Sequence, residues 1–262
     1  MDLTPFCRYN SLGEEEHKAA DSVIDSGILS GFIGAAGNRF NGGAKVQELE
    51  RLVCETTGSR YAVSVNSWTS GLFTILSAIG IGQGDEVITT PWTMCATATT
   101  IVARGAIPVF ADISLDDYNI DPIQIEKLIT TKTKAIVAVD IFGYTCNYDS
   151  IRRIADKYKL VFVTDSAQAW HSFYNNNYAS TCSDIGGFSL NYHKQINCGE
   201  GGIIITNNKN YARRCQLIRN HGETALINTV DDDNKDVIGF NFRLGEIEAA
   251  IAIEQIKKLP KI

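Results

Sequence analysis

Lys194 and Asp165 carry charges at two places where the sequence predicts burial. Asp165 closes the apolar run "LVFVT", and Lys194 lies between the apolar segment "FSL" and the glycine cluster "GEGG". A charged group brought out of water needs a partner or a shifted pKa. Lys194 is therefore either a desolvated nucleophilic amine or a side chain that reaches solvent. Asp165 is either a ligand for a protonated aromatic nitrogen or the cap of a following helix.

Three further features lie near the ends of predicted strands. The segment "NSWTSG", residues 66–71, joins a strand to a helix, so its amide groups could hold an anion. Ser189 offers a hydroxyl, and Trp92 offers the face of a flat ring. Each feature alone is ordinary. Together with Lys194 and Asp165 they supply a phosphate cradle, a Schiff-base amine and a partner for a pyridinium nitrogen, which are the needs of pyridoxal phosphate.

The elements that must position these residues alternate between short strands and helices. Strand-like runs are "RYAVSV", "DEVITT", "IPVFADI", "KAIVAVD", "LVFVTD", "GGFSLN" and "GGIIIT". Amphipathic helices separate most of them; Asp121 and Pro122 begin one, and another spans about residues 209–219. Ser11 and Glu14 form a capping-box pattern for an opening helix that ends at Gly27. This alternation predicts a mostly parallel sheet with ligands at its carboxyl edge.

Composition limits the class of protein. The chain has 262 residues, 44% of them hydrophobic, which is enough for one large domain or one domain plus part of a second. A net charge of -6 without a basic cluster argues against nucleic acid and anionic membranes as partners. The seven cysteines are scattered without a CxxC pair, which predicts neither disulfides nor a metal site. No secretory signal or membrane span is visible, so we expect a cytoplasmic protein.

The ordered set of motifs resembles the DegT/DnrJ/StrS family of pyridoxal-phosphate-dependent nucleotide-sugar aminotransferases. The resemblance runs from about Ser11 through Leu259. Its main stretches are "VSVNSWTSGL", "GDEVITTPWTMCATATTIVARGAIPVFADI", "TDSAQAW", "FSLNYHKQINCGEGGIIIT", "IRNHGE" and "GFNFRLGEIEAAIAIEQIKKL". It implies an α/β three-layer sandwich with a mostly parallel central sheet, which is the large domain of fold type I.

The resemblance also implies roles for individual residues. Lys194 matches the catalytic Schiff-base lysine, and Asp165 matches the partner of the pyridinium nitrogen. The other matched cofactor-binding positions are Gln168 near the ring hydroxyl, Ser189 and the backbone of Trp68 and Thr69 at the phosphate, Trp92 (or else Met94) over the ring, and Asn241 at the phosphate of a neighbouring subunit. The family usually has glycine at the position of Trp68. Because Asn241 matches a residue that reaches the neighbouring subunit, the resemblance implies a homodimer with shared sites.

The implied reaction moves an amino group, from glutamate, to a keto-sugar nucleotide in surface polysaccharide or deoxyamino-sugar biosynthesis. A sugar dehydratase is a second possibility, but that variant has histidine in place of the lysine, and the spacing to "GEGG" puts Lys194 rather than His193 there. A third is a truncated binding or dimerisation remnant, since family members continue into a smaller C-terminal domain. We expect residues 1–245 to form the N-terminal arm and cofactor-binding domain, and 246–262 to begin a connecting helix toward that absent domain.

Overall fold

A computed structural model describes residues 10–35, 37–222 and 237–261. Their helices and strands alternate along most of the chain. The helices are α1 (Glu14–Ser26), α2 (Ala44–Thr57), α3 (Trp68–Ala78), α4 (Ala96–Ala103), α5 (Pro122–Lys127), α6 (Tyr148–Tyr158), α7 (Lys209–Arg219) and α8 (Glu246–Lys258). The strands are β1 (Tyr61–Val65), β2 (Glu86–Thr89), β3 (Ile107–Phe110), β4 (Thr133–Val139), β5 (Val161–Asp165), β6 (Phe173–Tyr174), β7 (Asn177–Tyr178), β8 (Ile185–Ser189) and β9 (Gly202–Thr206).

Seven of the strands form one sheet in the order β1-β9-β8-β5-β4-β2-β3. The pairs among β8, β5, β4, β2 and β3 are parallel. β9 runs antiparallel to both of its neighbours, β1 and β8. The prediction of a mostly parallel sheet is therefore confirmed. The carboxyl ends of β1, β5 and β8 lie at the same edge, which is where such sheets bind ligands.

Helices cover both faces of this sheet, as the three-layer prediction requires. Successive strand residues point to opposite faces. On one face Val63, Val137 and Val163 pack in a core with residues of α3, α4 and α7. On the other face Phe162 packs with α6, while strands at the opposite end of the sheet pack with α2 and α8. The apolar runs are continuous because both faces are buried.

The start of α1 differs from the predicted capping box. Gly13 is the residue before the helix, and its N–H donates to the Glu16 carboxylate at 2.8 Å. Ser11 instead donates its hydroxyl to Gln255 Oε1 in α8 at 2.6 Å. The predicted pairing of Ser11 with Glu14 is wrong, because Gly13 rather than Ser11 immediately precedes the helix. The predicted end at Gly27 is confirmed by its left-handed conformation, with φ of 70°.

The last described helix, α8, packs against α1 and α2. Its Ala249, Ala252 and Ile253 are buried in the core. The carboxylate of Glu246, the first residue of α8, accepts hydrogen bonds from the Gly43 and Lys45 amides at the start of α2. A carboxylate there satisfies amides that have no partner inside their own helix. α8 is thus hydrogen-bonded to the start of α2. The domain boundary at residue 245 stays a prediction.

Among the described residues, no helix is both long enough and apolar enough to cross a membrane.

Candidate cofactor site

A cavity of about 150 Å³ opens at the carboxyl edge of the sheet. It gathers residues from five separate parts of the chain: the start of α3, the segment leading into α4, the end of β4, the end of β5, and the end of β8 with the loop after it. Six of the eight predicted site residues line it, namely Trp68, Thr69, Asp165, Gln168, Ser189 and Lys194. Trp92 and Asn241 do not. Larger depressions exist elsewhere on the chain, but neither joins an amine to Asp165.

Asp165 forms the buried floor of this cavity, with 4% of its surface exposed. Its Oδ1 accepts from Trp68 Nε1 at 2.6 Å and from the Ala167 N–H at 3.2 Å. Its Oδ2 accepts from the Thr97 hydroxyl at 2.8 Å. Burial raises the pKa of Asp165, whereas the Thr97 and Trp68 hydrogen bonds and the charge of Lys194 lower it. Residues 166–208 contain no helix, so the alternative role of Asp165 as a helix cap is wrong.

Lys194 lies half-buried in the loop that follows β8. A turn positions it, because its N–H donates to the Asn191 carbonyl at 2.9 Å. Burial lowers the pKa of Lys194, and the charge of Asp165 opposes that change. A lowered pKa increases the fraction of neutral amine, which is the nucleophilic and basic form. The role of Lys194 as a desolvated nucleophile, rather than a side chain that reaches solvent, stays a prediction.

The amino end of α3 lines the cavity, and the start of a helix is a favourable place for an anion. Ser67 caps the helix by accepting the Ser70 N–H at 3.1 Å. The amides of Trp68 and Thr69 belong to the first turn, where no helical carbonyl is available to them. Ser189 faces the same cavity from the end of β8, and its hydroxyl accepts the Asn191 N–H at 3.2 Å. Free amides at the start of a helix and a nearby hydroxyl are groups that commonly bind phosphate.

Gln168 presents its amide in one defined orientation. Its Oε1 accepts the N–H of Phe142 at 2.8 Å. Its Nε2 is therefore the atom left to donate, which suits a phenolate or hydroxyl oxygen on a ring. Gln195 fixes the backbone of this segment by donating to the Gln168 carbonyl at 2.6 Å.

Two predicted residues lie outside the cavity. Trp92 is 48% exposed and is tilted against Tyr118, with ring centroids 6.5 Å apart. Met94, the alternative for covering the ring, lines the cavity. Asn241 is exposed, and its side-chain oxygen accepts from Arg243 Nε at 2.9 Å.

The sequence reasoning missed Thr97 and the indole of Trp68 as partners of Asp165. Thr97 lies inside "CATATT", between the predicted strands "DEVITT" and "IPVFADI". A buried carboxylate does require donors, so a search for hydroxyl residues in the segments that follow the other parallel strands could have found Thr97. The sequence carries no signal for the reach of the Trp68 side chain, because that reach depends on how β5 and β8 pair.

The fold and the cavity together define a class of protein. A half-buried amine, a buried carboxylate and a helix amino end converge at the carboxyl edge of an α/β sheet. The three groups fit pyridoxal phosphate, whose aldehyde, ring nitrogen and phosphate need such partners.

Among the described residues, no cluster of three His, Cys, Asp or Glu side chains could hold a metal ion.

The chain belongs to the DegT/DnrJ/EryC1/StrS aminotransferase family, whose sequence profile matches residues 32–262. It is 34% identical over 254 residues to the spore coat polysaccharide biosynthesis protein SpsC of Bacillus subtilis (strain 168), covering 95% of this chain and 62% of SpsC. Among solved structures, it matches PseC of Helicobacter pylori, an aminotransferase involved in pseudoaminic acid biosynthesis, with a TM-score of 0.83 and 34% identity over 95% of this chain and 64% of that one.

An aminotransferase from Psychrobacter cryohalolentis matches with a TM-score of 0.88 and 31% identity, covering 98% of this chain and 65% of that one. The chain therefore spans less than two thirds of the length of these relatives. The family resemblance and the fold class inferred from the sequence are both confirmed.

A second buried carboxylate, Asp140, lies behind the site and should make stability depend on pH. It accepts from the Tyr148 and Ser166 hydroxyls, each at 2.5 Å. Burial raises the pKa of Asp140 from 3.8 to about 6, although these hydrogen bonds lower it. A carboxyl whose pKa is higher in the folded state contributes stability at low pH and loses it as pH rises through the folded value.

We therefore expect the free energy of unfolding of the wild type, relative to Asp140→Asn, to fall by about 2 kcal/mol between about pH 4 and pH 7. Urea denaturation at both pH values measures this difference. The exposed Asp116 provides a control, since Asp116→Asn should show no such change. A wild-type advantage over Asp140→Asn that is independent of pH would contradict the prediction.

Proposed function

We propose that this protein is a pyridoxal-phosphate-dependent aminotransferase that moves an amino group from glutamate to the keto group of a nucleotide-linked sugar. The product would enter surface polysaccharide or deoxyamino-sugar biosynthesis. Membership of the family and the similarity to SpsC and PseC support this reaction class.

One observation carries the proposal: Lys194 and Asp165 line the same cavity. There the charge of Lys194 lowers the pKa of Asp165, and the charge of Asp165 raises the pKa of Lys194. Amino transfer needs a basic amine and an anion on opposite sides of one ring system. Pyridoxal phosphate, when bound, supplies an electron sink for the bond changes at the substrate carbon. The chain's own residues must hold that ring and move the proton.

Each residue has a defined task in this proposal. Lys194 Nζ would hold the cofactor and, once the donor amine has replaced it there, would move a proton between the substrate carbon and the cofactor. The Asp165 carboxylate keeps the ring nitrogen protonated. Gln168 Nε2 donates to the ring oxygen, and the amides of Trp68 and Thr69 hold the phosphate together with the Ser189 hydroxyl. Desolvation lowers the pKa of Lys194 and so increases the neutral fraction of its amine.

A homodimer with shared sites is part of the proposal. Asn241 is exposed and does not line the cavity of its own chain, which suits a side chain that reaches a neighbouring subunit. Sedimentation of the purified chain tests this state, and a monomer at micromolar concentration would argue against it.

The described cysteines are free thiols, which fits the proposed reducing, cytoplasmic setting.

A spectral titration tests the reaction. We expect the purified chain, supplied with pyridoxal phosphate, to become yellow and to lose that colour when glutamate is added. A nucleotide-linked keto-sugar should then restore the colour, because transfer of the amino group to the sugar reverses the change that glutamate made to the cofactor. A panel of keto-sugar nucleotides would identify the acceptor. Absorbance spectra recorded after each addition measure all three steps.

The outcomes separate the possible functions. Bleaching by glutamate and recovery with one keto-sugar support the aminotransferase. A yellow protein that no amine donor changes would instead indicate a cofactor-binding protein without turnover. A chain that never binds the cofactor would overturn the proposal.

A further inference from the structure

The side chain of Trp68 turns inward and contacts the carboxylate at the floor of the cavity. Trp68 is the first residue of α3 and is 6% exposed. Its indole N–H donates to Asp165 Oδ1 at 2.6 Å. In the proposed function the backbone of Trp68 has a separate task at the phosphate, so one residue serves two parts of the site.

Two glycines leave the space that the indole fills. A Cβ on Gly71 would lie 2.9 Å from Cε3 of Trp68, and a Cβ on Gly187 would lie 2.9 Å from its Cζ3. Gly187 in β8 pairs with Asp165 in β5. The indole therefore crosses β8 at Gly187, the residue that pairs with Asp165, and reaches the carboxylate on the next strand. A side chain at position 187 would block this path.

The two oxygens of the Asp165 carboxylate accept different numbers of hydrogen bonds. A carboxylate has about four acceptor positions. Within the described part of the chain, Oδ1 accepts two hydrogen bonds, from Trp68 Nε1 and the Ala167 N–H, whereas Oδ2 accepts one, from Thr97. One position therefore remains, and it is on Oδ2. The carboxylate cannot rotate to offer Oδ1 without breaking the short bond to the indole.

We propose that Trp68 is a positioning residue, whose indole N–H occupies Oδ1 of Asp165 so that Oδ2 is the oxygen presented to the ring nitrogen of the ligand. The ligand identity rests on the proposed function, but the hold on the carboxylate does not. Hydrogen bonds to a carboxylate favour its charged form. Trp68 thus fixes the orientation of the Asp165 carboxylate and favours its charged form, which burial disfavours.

Nuclear magnetic resonance of the cofactor-free chain tests the hold directly. The sequence has three tryptophans, Trp68, Trp92 and Trp170, so three indole N–H signals are expected. Trp170 is the matched control, since it is also buried but donates to the Ser189 carbonyl at 2.8 Å. With changing pH, the Trp68 signal should move with the same midpoint as the Asp165 carboxyl carbon, and the Trp170 signal should not. Asp165→Asn assigns the carboxyl signal and should abolish the movement.

A substitution gives the size of the effect. Trp68→Phe keeps a ring in the slot and removes the donor, so the titration midpoint of Asp165 should rise by about one pH unit. Trp170→Phe should leave that midpoint in place. Equal midpoints in the two variants would overturn the proposal. If Trp68→Phe fails to fold, the wild-type indole titration decides alone, and a Trp68 signal that ignores Asp165 overturns it.

A second measurement joins the inference to the ligand. With pyridoxal phosphate labelled with ¹⁵N in its ring, the nitrogen should lose its proton at a lower pH in Trp68→Phe than in the wild type, because a misdirected carboxylate supports the ring charge less well. An unchanged ring-nitrogen midpoint in Trp68→Phe would overturn the positioning role. If the wild type binds no pyridoxal phosphate, the proposed function fails while the carboxylate titration still judges the role of Trp68.

Discussion

Lys194→Ala is expected to reduce the rate of amino transfer by at least about 1,000-fold, since a positioned general acid–base contributes about 10² to 10⁴ in rate. Under the proposed function, the substitution removes both the attachment point of the cofactor and the group that carries the proton. Borohydride reduction followed by peptide mapping should find cofactor on residue 194 of the wild type and none in the variant. The fold should persist, because the Lys194 side chain is only half-buried and lies in a loop.

Lys194→Arg separates charge from chemistry. Arginine keeps the cation but stays protonated, so it can neither attack nor accept a proton. This variant should be as inactive as Lys194→Ala. Lys209, an exposed residue at the start of α7, supplies the matched control, and Lys209→Ala should retain the wild-type rate. A reducible cofactor adduct that persists at another lysine in Lys194→Ala would refute the assignment.

The sequence predicted the sheet well because burial leaves a strong local pattern. β4 and β5 are buried along nearly their whole length and are mostly apolar, as expected for strands covered on two faces. The hairpin of β6 and β7 was missed, since two-residue strands have no periodicity to detect. Its turn residues Asn175 and Asn176 both have positive φ, a pattern that asparagine tolerates and that the sequence "YNNNY" could have suggested.

The candidate site was predictable where it depended on strand ends and not where it depended on side-chain reach. Asp165 and Ser189 come together because β5 and β8 are neighbours and end at one edge. The placement of Trp92 could not be read in the same way, because a residue after a strand can face the cavity or solvent. The link from Trp68 to Asp165 needed the pairing of Asp165 with Gly187, which no single segment reveals.

Asp165→Asn is expected to slow the glutamate half-reaction by at least about 100-fold, on the scale of losing one preorganised electrostatic group. Asparagine keeps the shape but removes the negative charge that holds the ring nitrogen protonated. It also offers one acceptor oxygen where two were used, so if that oxygen stays with the Trp68 N–H, the Thr97 hydroxyl must accept from the amide NH₂ group instead of donating. Rapid-mixing absorbance with glutamate measures the rate, and Asp116→Asn provides an exposed control.

The same variant should change Lys194 in a direction that slower turnover alone would not produce. The charge of Asp165 raises the pKa of Lys194, whereas burial lowers it. Without that charge only the desolvation remains, so the pKa of Lys194 should fall further. The reaction of Lys194 with an amine reagent, followed in the cofactor-free chain, should then reach half its maximal rate at a lower pH in Asp165→Asn than in the wild type. Since both measurements follow from one electrostatic contact, a slow variant with an unchanged Lys194 midpoint would mean that the two groups do not share a site.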